Sequence, residues 1–476
     1  LCSFLGGMKA ITWTQVAQYV VLLLAFLIPV SWLAYKQLGN PMAPIVYGQL
    51  IEEVTSLEDK LRQDPAEQEV AAEFQRRARI YAERLQDVPS ALEQERARAQ
   101  ARIHQLRAQN ADVALIMAAS RELAALPKDA ATARERWTRA RQDALERSRP
   151  LGGLPPHSQA FAGDPHGTAQ EQAIFQESRR NFLALMFCLM VGTAGLPHLL
   201  TRYFTVPSVA EARTSVAWSL FFIALLYLSV PALALMVKFE VLNHLVGSRF
   251  DALPTWMVQW SKVDASLLSF SDVNGDGLLQ LGEIRMGADL VMLATPELGG
   301  LPYVVSGLVA AGGLAAALST ADGLLLTISN ALVRDMYYAQ RMRRALPQQR
   351  VILSKFALLS VAMLAATVAA LRPAGILPMV TASFSLAAAG LVPGMLLGLF
   401  WRGATRAGVV AGMLAGLGVV VYYMLVNTDT LRSALGLVAE GGLWWSIQPN
   451  SAGVFGVPAG LLVTWLVSLW TAKKAA

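Results

Sequence analysis

Long apolar runs separated by polar segments dominate the pattern along this chain. Several of these runs continue for about 18 residues or more, which as a helix is enough to cross a hydrocarbon core of roughly 30 Å. They are too long and too continuously apolar to be the alternating strands of a membrane barrel. The pattern therefore predicts an all-α polytopic membrane protein. Its eight expected spans are residues 11–34, 181–201, 215–237, 302–328, 351–371, 377–400, 407–427 and 453–471.

A hydrophilic helical pattern lies between the first two spans, where residues 51–149 are rich in Glu, Arg, Gln and Ala. Apolar residues spaced for one helix face are Val70, Phe74, Tyr81 and Leu85. Pro65, Pro89 and Pro127 divide this insertion into roughly four helices, and the Gly-, Pro- and His-rich stretch 150–168 follows as a linker. Either the insertion binds a protein partner, or its helices are structural and solvated only.

Composition agrees with a membrane protein. Hydrophobic residues make up 54% of the 476 and charged residues only 16%, which excludes an ordinary soluble enzyme. The formal charge is +6, but much of it lies in loops between spans, so the lipid bilayer and not nucleic acid is the expected partner. The two cysteines, Cys2 and Cys188, form no metal or disulfide pattern, and Cys188 is expected to serve packing.

Basic residues in the short loops predict the orientation, because Lys and Arg concentrate on the cytoplasmic side. The loop after span 302–328 is the most basic, and alternation places the other basic loops on the same side. These residues are Lys9, Arg202, Arg213, Arg334, Arg341, Arg343, Arg344, Arg350, Lys355, Arg402, Arg406, Lys473 and Lys474. The expected organisation is one span in 1–37, the periplasmic insertion and linker in 38–178, two spans in 179–237, a periplasmic loop in 238–301 and five spans in 302–476.

Residues 272–283 match the twelve-residue EF-hand calcium loop at each key position. Gly277 would allow the sharp turn, Leu279 would pack inward, and the flanks 260–270 and 283–294 would be the entering and exiting helices. The expected ligands are Asp272, Asn274, Asp276, Leu278 through its carbonyl, Gln280 through water and Glu283 through both carboxylate oxygens. A weak structural Ca²⁺ site is the expectation, since no second hand accompanies the loop. The alternative is a Gly/Asp-rich turn that binds no ion.

A polar group interrupts the span at 302–328. After a run of small residues come Ser319, Thr320 and Asp322, near the expected cytoplasmic end. The two hydroxyls and the carbonyl of Ala316 would form half of an oxygen cage for Na⁺, and Asp322 is a candidate ion relay because an intramembrane carboxylate is costly without a function. The alternative is that both hydroxyls bond to their own helix and Asp322 lies at the interface.

The run 316–327, Ala-Ala-Leu-Ser-Thr-Ala-Asp-Gly-Leu-Leu-Leu-Thr, resembles the sodium-site helix of the sodium:solute symporter family. Two further segments, 6–15 and 399–408, resemble the same family. A third, 192–208, resembles its cation/acetate symporter branch. The resemblance implies Ala316, Ser319 and Thr320 as sodium ligands. It does not extend to 51–178, and the calcium-type loop also departs from the acetate branch.

The resemblance also implies a leucine-transporter-type inverted-repeat fold with broken helices and a midplane site. A break is expected at 191–198, where Gly192, Thr193, Ala194 and Gly195 are candidate substrate contacts through backbone N–H groups; an ordinary proline kink is the alternative. His198 is expected to be structural. The chain starts at Leu1 without Met, so the upstream spans are expected to be missing, with the sodium-binding carbonyls of the first core helix and half of the substrate site.

The expected function is sodium-coupled symport of a small organic acid, a monocarboxylate such as acetate, with no bond made or broken and therefore no enzyme activity. The alternative is a transporter-like membrane receptor that signals through its periplasmic insertion. A membrane scaffold ranks third, because it explains neither the Ser319–Thr320 pair nor the calcium-type loop.

Overall fold

The computed structural model describes residues 2–109, 111–200, 206–338, 347–371, 376–428, 431–432 and 442–475. Several basic residues used for the orientation lie outside this part of the chain: Arg202, Arg341, Arg343 and Arg344. So do the side chains of Lys9, Arg334, Arg350, Lys473 and Lys474. The segment 201–205, within the acetate-branch resemblance, also lies outside it.

Helices make up most of the described chain. In order they are α1 Cys2–Leu38, α2 Ala43–Val46, α3 Leu50–Gln63, α4 Pro65–Arg84, α5 Val88–Ala108, α6 Val113–Ala124, α7 Ala130–Arg147, α8 Ala169–Gly195, α9 Pro197–Leu200, α10 Val209–Glu240, α11 Thr255–Val263, α12 Ala288–Leu298, α13 Tyr303–Asn330, α14 Pro347–Ala370, α15 Ile376–Phe400, α16 Arg406–Asn427 and α17 Gly453–Ala475. Strands β1 Leu268–Phe270 and β2 Ile284–Met286 pair antiparallel, with Ser269 opposite Arg285.

Shorter turns of helix connect these elements. Single 3₁₀ turns occupy Tyr47–Gln49, Pro150–Gly153, Phe250–Ala252, Leu281–Glu283, Trp444–Ser446 and Pro449–Ser451. Wider π-helical turns extend α10 over Val241–Leu245 and α13 over Ala331–Tyr338.

Within the described residues, eight helical segments are long and apolar enough to cross a membrane. They are Thr12–Leu38, Ala169–Leu200, Val209–Leu245, Tyr303–Val333, Val351–Ala370, Ile376–Phe400, Arg406–Asn427 and Pro449–Ala472. Each overlaps one of the eight predicted spans, so the all-α polytopic fold is confirmed. The inverted-repeat arrangement remains what the resemblance implies.

The chain divides into two compact units. The first consists of Leu1–Ile28, Phe161–Tyr227 and Gly307–Ala476, and the second of Pro29–Ala160 and Leu228–Ser306. The first unit contains α13 from Gly307 onward and α14 to α17, and the second contains the helical insertion and the loop with the calcium-type sequence.

In the first unit, α15, α16 and α17 pack through small residues. A Cβ atom built on Gly412 of α16 would lie 1.7 Å from Oγ1 of Thr464 on α17, and one on Gly416 would lie 2.3 Å from the Ala389 carbonyl oxygen on α15. Close approach of this kind holds membrane helices together where lipid offers no hydrophobic driving force. Cys188 is fully buried and contacts the Ser451 carbonyl oxygen, in line with a packing role.

We expect Gly412→Ala to destabilise the protein by about 1–3 kcal/mol, because overpacking forces buried neighbours to shift. Thr464 is fully buried and its hydroxyl already donates to the Gly460 carbonyl, so it has little freedom to move. Thermal unfolding of the purified protein measures the effect. Gly418→Ala on the same helix is the matched control, because an added Cβ there meets no atom within 4 Å. Equal midpoints for the two variants would contradict the tight α16–α17 contact.

In the second unit, the insertion forms five helices, α3 to α7, where roughly four were expected. Pro65 and Pro89 lie in the first turns of α4 and α5, and Pro127 lies between α6 and α7, as predicted. The additional break comes before α6, where Asp112 accepts a hydrogen bond from Ala114 N as an N-cap. The aspartates that cap α4, α5 and α7 in the same way are Asp64, Asp87 and Asp129.

Two small apolar cores hold the insertion together. The first is formed by Val70, Phe74, Ala78 and Ala144, and the second by Val88, Leu92, Ala133 and Trp137. The predicted stripe is divided between them: Val70 and Phe74 belong to the first core, while Tyr81 and Leu85 pack against the second. The stripe therefore marks residues that face other insertion helices.

Candidate functional site

The three predicted sodium ligands lie together on α13. Ser319 Oγ donates to the Ala316 carbonyl oxygen at 2.8 Å, and Thr320 Oγ1 donates to the same oxygen at 3.2 Å. This is the helix-internal bonding that the sequence left open as the alternative. Each hydroxyl keeps acceptor lone pairs after donating its proton, and a carbonyl oxygen has two. In the structure the two hydroxyls occupy both lone pairs of the Ala316 carbonyl oxygen, so all three oxygens face a small cation only once the hydroxyl protons turn away from that carbonyl.

Asp322 lies half-buried on α13, three residues after Ser319. Ser319 is also half-buried, whereas Thr320 is exposed. Successive positions of a helix point in different directions, and residues three or four apart share a face. Ser319 and Asp322 thus belong to one face of α13.

Helix α1 contacts α13 beside this group. Gln15 Nε2 donates to the Ser319 carbonyl oxygen at 2.8 Å. Two turns away the backbones come very close, since a Cβ built on Gly312 would lie 2.3 Å from the Ala25 Cβ. The crowded small residues of α13 therefore serve the close helix approach that the sequence predicted, and Gln15 ties α1 to the backbone of the hydroxyl pair.

Gln18 and Tyr19 are polar residues of the same span that the sequence analysis missed. Gln15, Gln18 and Tyr19 are spaced three and four apart, so they share one face of α1. The Gln18 Oε1 and Tyr19 Oη atoms are buried without a hydrogen-bond partner among the described residues. The Tyr19 ring packs edge-on against Phe222, with centroids 5.8 Å apart. The sequence could have indicated these residues, because amide and phenol groups are costly inside an apolar membrane-spanning run unless they have a function.

The predicted helix break at 191–198 is present, because α8 ends at Gly195, Leu196 has extended backbone angles and α9 begins at Pro197. The two glycines serve packing: a Cβ on Gly192 would lie 2.6 Å from the Phe384 carbonyl oxygen, and one on Gly195 would lie 2.8 Å from Val392 Cγ2. Both contacts are to α15. Thr193 is exposed and donates to the Leu189 carbonyl oxygen, and Ala194 is exposed beside it. His198 is half-buried.

The calcium-type loop has the expected turn. Gly277 has a φ of +74°, and Asp272 accepts hydrogen bonds from Gly275 N at 2.6 Å and Gly277 N at 3.0 Å. Leu279 is fully buried, as predicted. The flanks differ from an EF-hand, because β1 and β2 frame the loop where entering and exiting helices were expected; α11 ends at Val263 and α12 begins only at Ala288.

Glu283, the last predicted calcium ligand, is fully buried. Its Oε1 accepts from Val273 N at 2.5 Å and its Oε2 from Gln280 N at 3.2 Å. Burial raises the pKa of Glu283, and the charges of Asp272 and Asp276 raise it further. Over the part of the chain that the structure describes, no three His, Cys, Asp or Glu side chains are grouped closely enough to hold a metal ion.

Comparison with known proteins assigns the part of the chain around α13 to a family. The sodium:solute symporter family model matches residues 292–416, a range that includes Ala316, Ser319, Thr320 and Asp322. An uncharacterized symporter of Cupriavidus necator is 49% identical over 475 residues, covering 100% of this chain and 68% of that protein.

More distant relatives cover part of the chain. A monocarboxylic acid transporter of Corynebacterium glutamicum is 26% identical over 292 residues, 61% of this chain and 46% of that protein. An uncharacterized symporter of Bacillus subtilis is 25% identical over 295 residues, 61% of this chain and 50% of that protein. The matches to these two proteins span about half of their length. Similarity over the whole chain to one symporter, together with the family match around α13, shows that this chain belongs to the sodium:solute symporter family.

Proposed function

We propose that the protein couples the inward movement of Na⁺ to the uptake of a small monocarboxylate, such as acetate, across the bacterial inner membrane. Family membership supports solute symport with Na⁺ as the coupling ion. The substrate class is supported by the resemblance of 192–208 to the acetate branch and by the name of the Corynebacterium relative, a monocarboxylic acid transporter. A symporter moves its solute unchanged, so no catalytic residue is assigned.

The observation that carries the proposal is the grouping of Ser319 Oγ, Thr320 Oγ1 and the Ala316 carbonyl oxygen within one turn of α13, inside the range that the family model matches. Na⁺ bound to these oxygens would stabilise the turn of α13 that Gln15 of α1 already contacts. An ion that favours one arrangement of these helices raises the affinity for a substrate that favours the same arrangement, and the effect is reciprocal.

On the substrate side, the exposed Thr193 hydroxyl at the end of α8 is the proposed contact, since Gly192 and Gly195 pack against α15. The backbone N–H groups of 192–195 that the sequence suggested as contacts lie in the last turn of α8, where a helix leaves carbonyl groups free and not N–H groups. Tyr19 Oη is a further proposed donor to a carboxylate, because its hydroxyl lies buried without a partner in the described part of the protein. Asp322 is proposed as an ion relay. Ca²⁺ at 272–283 is proposed as a structural ion with no part in the transport step.

The test is uptake of labelled acetate into proteoliposomes of the full-length protein under an inward Na⁺ gradient. We expect accumulation that disappears when the gradient is collapsed, and competition by short monocarboxylates but not by dicarboxylates or sugars. Accumulation of another solute class in preference to acetate would overturn the substrate assignment. Uptake that is indifferent to Na⁺ would overturn the coupling.

A membrane receptor that signals through its insertion is the second candidate. It is favoured by the two apolar cores that give α4 to α7 a stable surface of their own. Acetate-dependent thermal stabilisation of the protein without acetate accumulation would favour this function over symport.

The proposed orientation places the insertion in the periplasm and the loop between α15 and α16 in the cytoplasm. We expect Gln100→Cys to react with an impermeant thiol reagent in intact spheroplasts. Arg402→Cys should react only after the membrane is permeabilised. Both variants are made in a Cys2→Ser background, since Cys188 is buried. The reverse labelling pattern would show that the basic loops do not set the orientation.

A further inference from the structure

The helical insertion is bound to the end of the calcium-type loop. Glu67 of α4 accepts hydrogen bonds from Leu281 N, at 2.5 Å to Oε1, and from Gly282 N, at 3.3 Å to Oε2. These are the first two N–H groups of the 3₁₀ turn Leu281–Glu283, so Glu67 caps the turn that ends with the last predicted calcium ligand. Because these backbone groups belong to the loop, any shift of the turn acts on α4.

Two further contacts support the same docking. Val273, the second residue of the loop, packs against the insertion core that contains Val70 and Phe74. Arg285, two residues after the loop, forms an ion pair with Asp143 of α7 at 2.5 Å. The insertion therefore contacts the calcium-type loop at its start, at its end and just beyond it.

Gln280 gives an independent reason to place a cation in the loop. Its side chain is only 4% exposed, and its Oε1 atom has no hydrogen-bond partner among the described residues. Its Nε2 donates to Asp276 Oδ2 at 2.6 Å, which holds the side-chain amide against a carboxylate of the loop. A buried acceptor without a donor is costly, and a cation or the water it carries would satisfy it.

The charge distribution points the same way. Burial raises the pKa of Glu67, and the nearby charges of Asp64 and Glu283 add to the increase. Glu67 and Glu283 are thus partly or fully buried carboxylates that feel other negative charges nearby, although no three acidic side chains of the described residues form a ready-made metal site. A divalent cation would offset their mutual repulsion.

Backbone pairing with another segment also stabilises the loop, as a second EF-hand would. Leu279 N donates to the Ser248 carbonyl oxygen at 2.8 Å, and Gly247 N donates to the Leu279 carbonyl oxygen at 2.8 Å. Leu278 forms a β-bridge with Arg249. Segment 247–250 therefore provides backbone pairing for a loop that the sequence suggested would be isolated.

We propose that residues 272–283 bind Ca²⁺ and that the bound ion fixes the helical insertion onto this loop. Asp272, Asn274, Asp276, the Leu278 carbonyl, Gln280 and Glu283 supply oxygens in the number and kind that Ca²⁺ takes, whereas Mg²⁺ demands a stricter octahedron. The carboxylates close in on the ion, and Glu283 draws the turn Leu281–Glu283 into one position. The N–H groups of Leu281 and Gly282 are then fixed in position, so their hydrogen bonds to Glu67 stabilise the docking of α4 onto the loop. The inference extends the structural role proposed for Ca²⁺ and does not depend on the transported solute.

Two measurements on the full-length protein in nanodiscs test the inference, and neither uses transport. Calorimetry follows Ca²⁺ binding, with Mg²⁺ as the ion control. Hydrogen exchange of 65–84 follows docking. We expect a dissociation constant on the order of 10⁻⁴–10⁻³ M, as in extracellular calcium modules. We also expect exchange in α4 to slow by about tenfold with saturating Ca²⁺, since protection follows the free energy of local opening.

Variants separate binding from docking. Glu283→Gln is expected to weaken Ca²⁺ binding by about tenfold or more and to remove the protection of α4. Glu67→Gln is expected to retain calorimetric Ca²⁺ binding but to lose most of the protection. The matched control is Glu69→Gln, an exposed position on the same helix, which should behave as the wild type.

Each negative result would overturn a different part of the inference. No heat at millimolar Ca²⁺ in the wild type would overturn the site and leave the loop as a turn. Calcium binding without any change of exchange in α4 would overturn the docking role. Either result would leave sodium-coupled uptake standing, because that function is measured separately in proteoliposomes.

Discussion

Replacing Ser319 and Thr320 together by alanine is expected to remove almost all sodium-driven uptake, while each single replacement raises the Na⁺ concentration for half-maximal uptake about tenfold. A tenfold change corresponds to about 1.4 kcal/mol of lost ion binding for one oxygen. Both hydroxyls converge on the Ala316 carbonyl oxygen. Groups in direct contact act as a unit, so the two losses should not simply add.

A folding defect is not expected from these changes. Alanine is the better helix former, and each hydroxyl bonds only within its own helix in the contacts described above. The matched control is Thr327→Ala on α13, since Thr327 Oγ1 donates to the Gly323 carbonyl oxygen in the same way at 2.8 Å. Uptake measured against external Na⁺ should be unchanged in this control. Unchanged Na⁺ dependence in the double variant, at normal membrane abundance, would place the sodium site elsewhere.

Asp322→Asn distinguishes two roles of the carboxylate. If Asp322 only balances the charge of the ion, its loss should raise the required Na⁺ concentration by less than the hydroxyl variants do. If it relays the ion inward, the maximal uptake rate should fall severely. The same uptake assay separates the two cases, since one effect changes the Na⁺ dependence and the other changes the rate at saturating Na⁺.

The sequence predicted local features well because they depend on neighbouring residues. The eight spans follow from long apolar runs, the break at Leu196 from the glycines and proline around it, and the turn at Gly277 from the loop pattern. For the same reason the number of insertion helices was predicted closely, as roughly four where the structure has five. The missed break before α6 had a local signal as well, the capping Asp112.

Features that depend on distant parts of the chain were not predictable from one sequence. Gln15 donates a hydrogen bond to Ser319, which lies 304 positions away in the sequence. Glu67 accepts one from Leu281, 214 positions away. Periodicity describes which face of a helix is polar, but it does not say which other helix that face contacts. The strands that frame the calcium-type loop were missed because each has only three residues, too few for an alternating pattern to be recognised.

The largest loss of stability is expected from replacing Glu58 in the second unit. Glu58 is 1% exposed, forms an ion pair with Lys238, and accepts hydrogen bonds from His157 N with both carboxylate oxygens at 3.1 Å. Lys238 Nζ also donates to the Pro155 carbonyl oxygen at 3.2 Å. The pair therefore holds the linker that follows the insertion to α3 and to the end of α10.

Glu58→Gln is expected to destabilise the protein by about 3 kcal/mol, the lower end of the cost of removing one partner from a buried ion pair. The amide can still accept from His157 N, but Lys238 loses its counter-charge while its side chain is only 19% exposed. His157 cannot replace the lost counter-charge, because an imidazole is either neutral or positively charged; burial and the charge of Lys238 lower its pKa and so favour the neutral form.

Thermal unfolding of the full-length protein measures this loss, and a double-mutant cycle assigns it to the pair. Glu58→Gln/Lys238→Gln should be more stable than Glu58→Gln alone, because the second change removes the unpaired buried cation. Glu53→Gln is the matched control, since Glu53 is exposed on the same helix and should shift the midpoint very little. If the double variant were as unstable as the sum of the two single variants, the ion pair would contribute nothing, and the stability of this region would come from the hydrogen bonds to the linker instead.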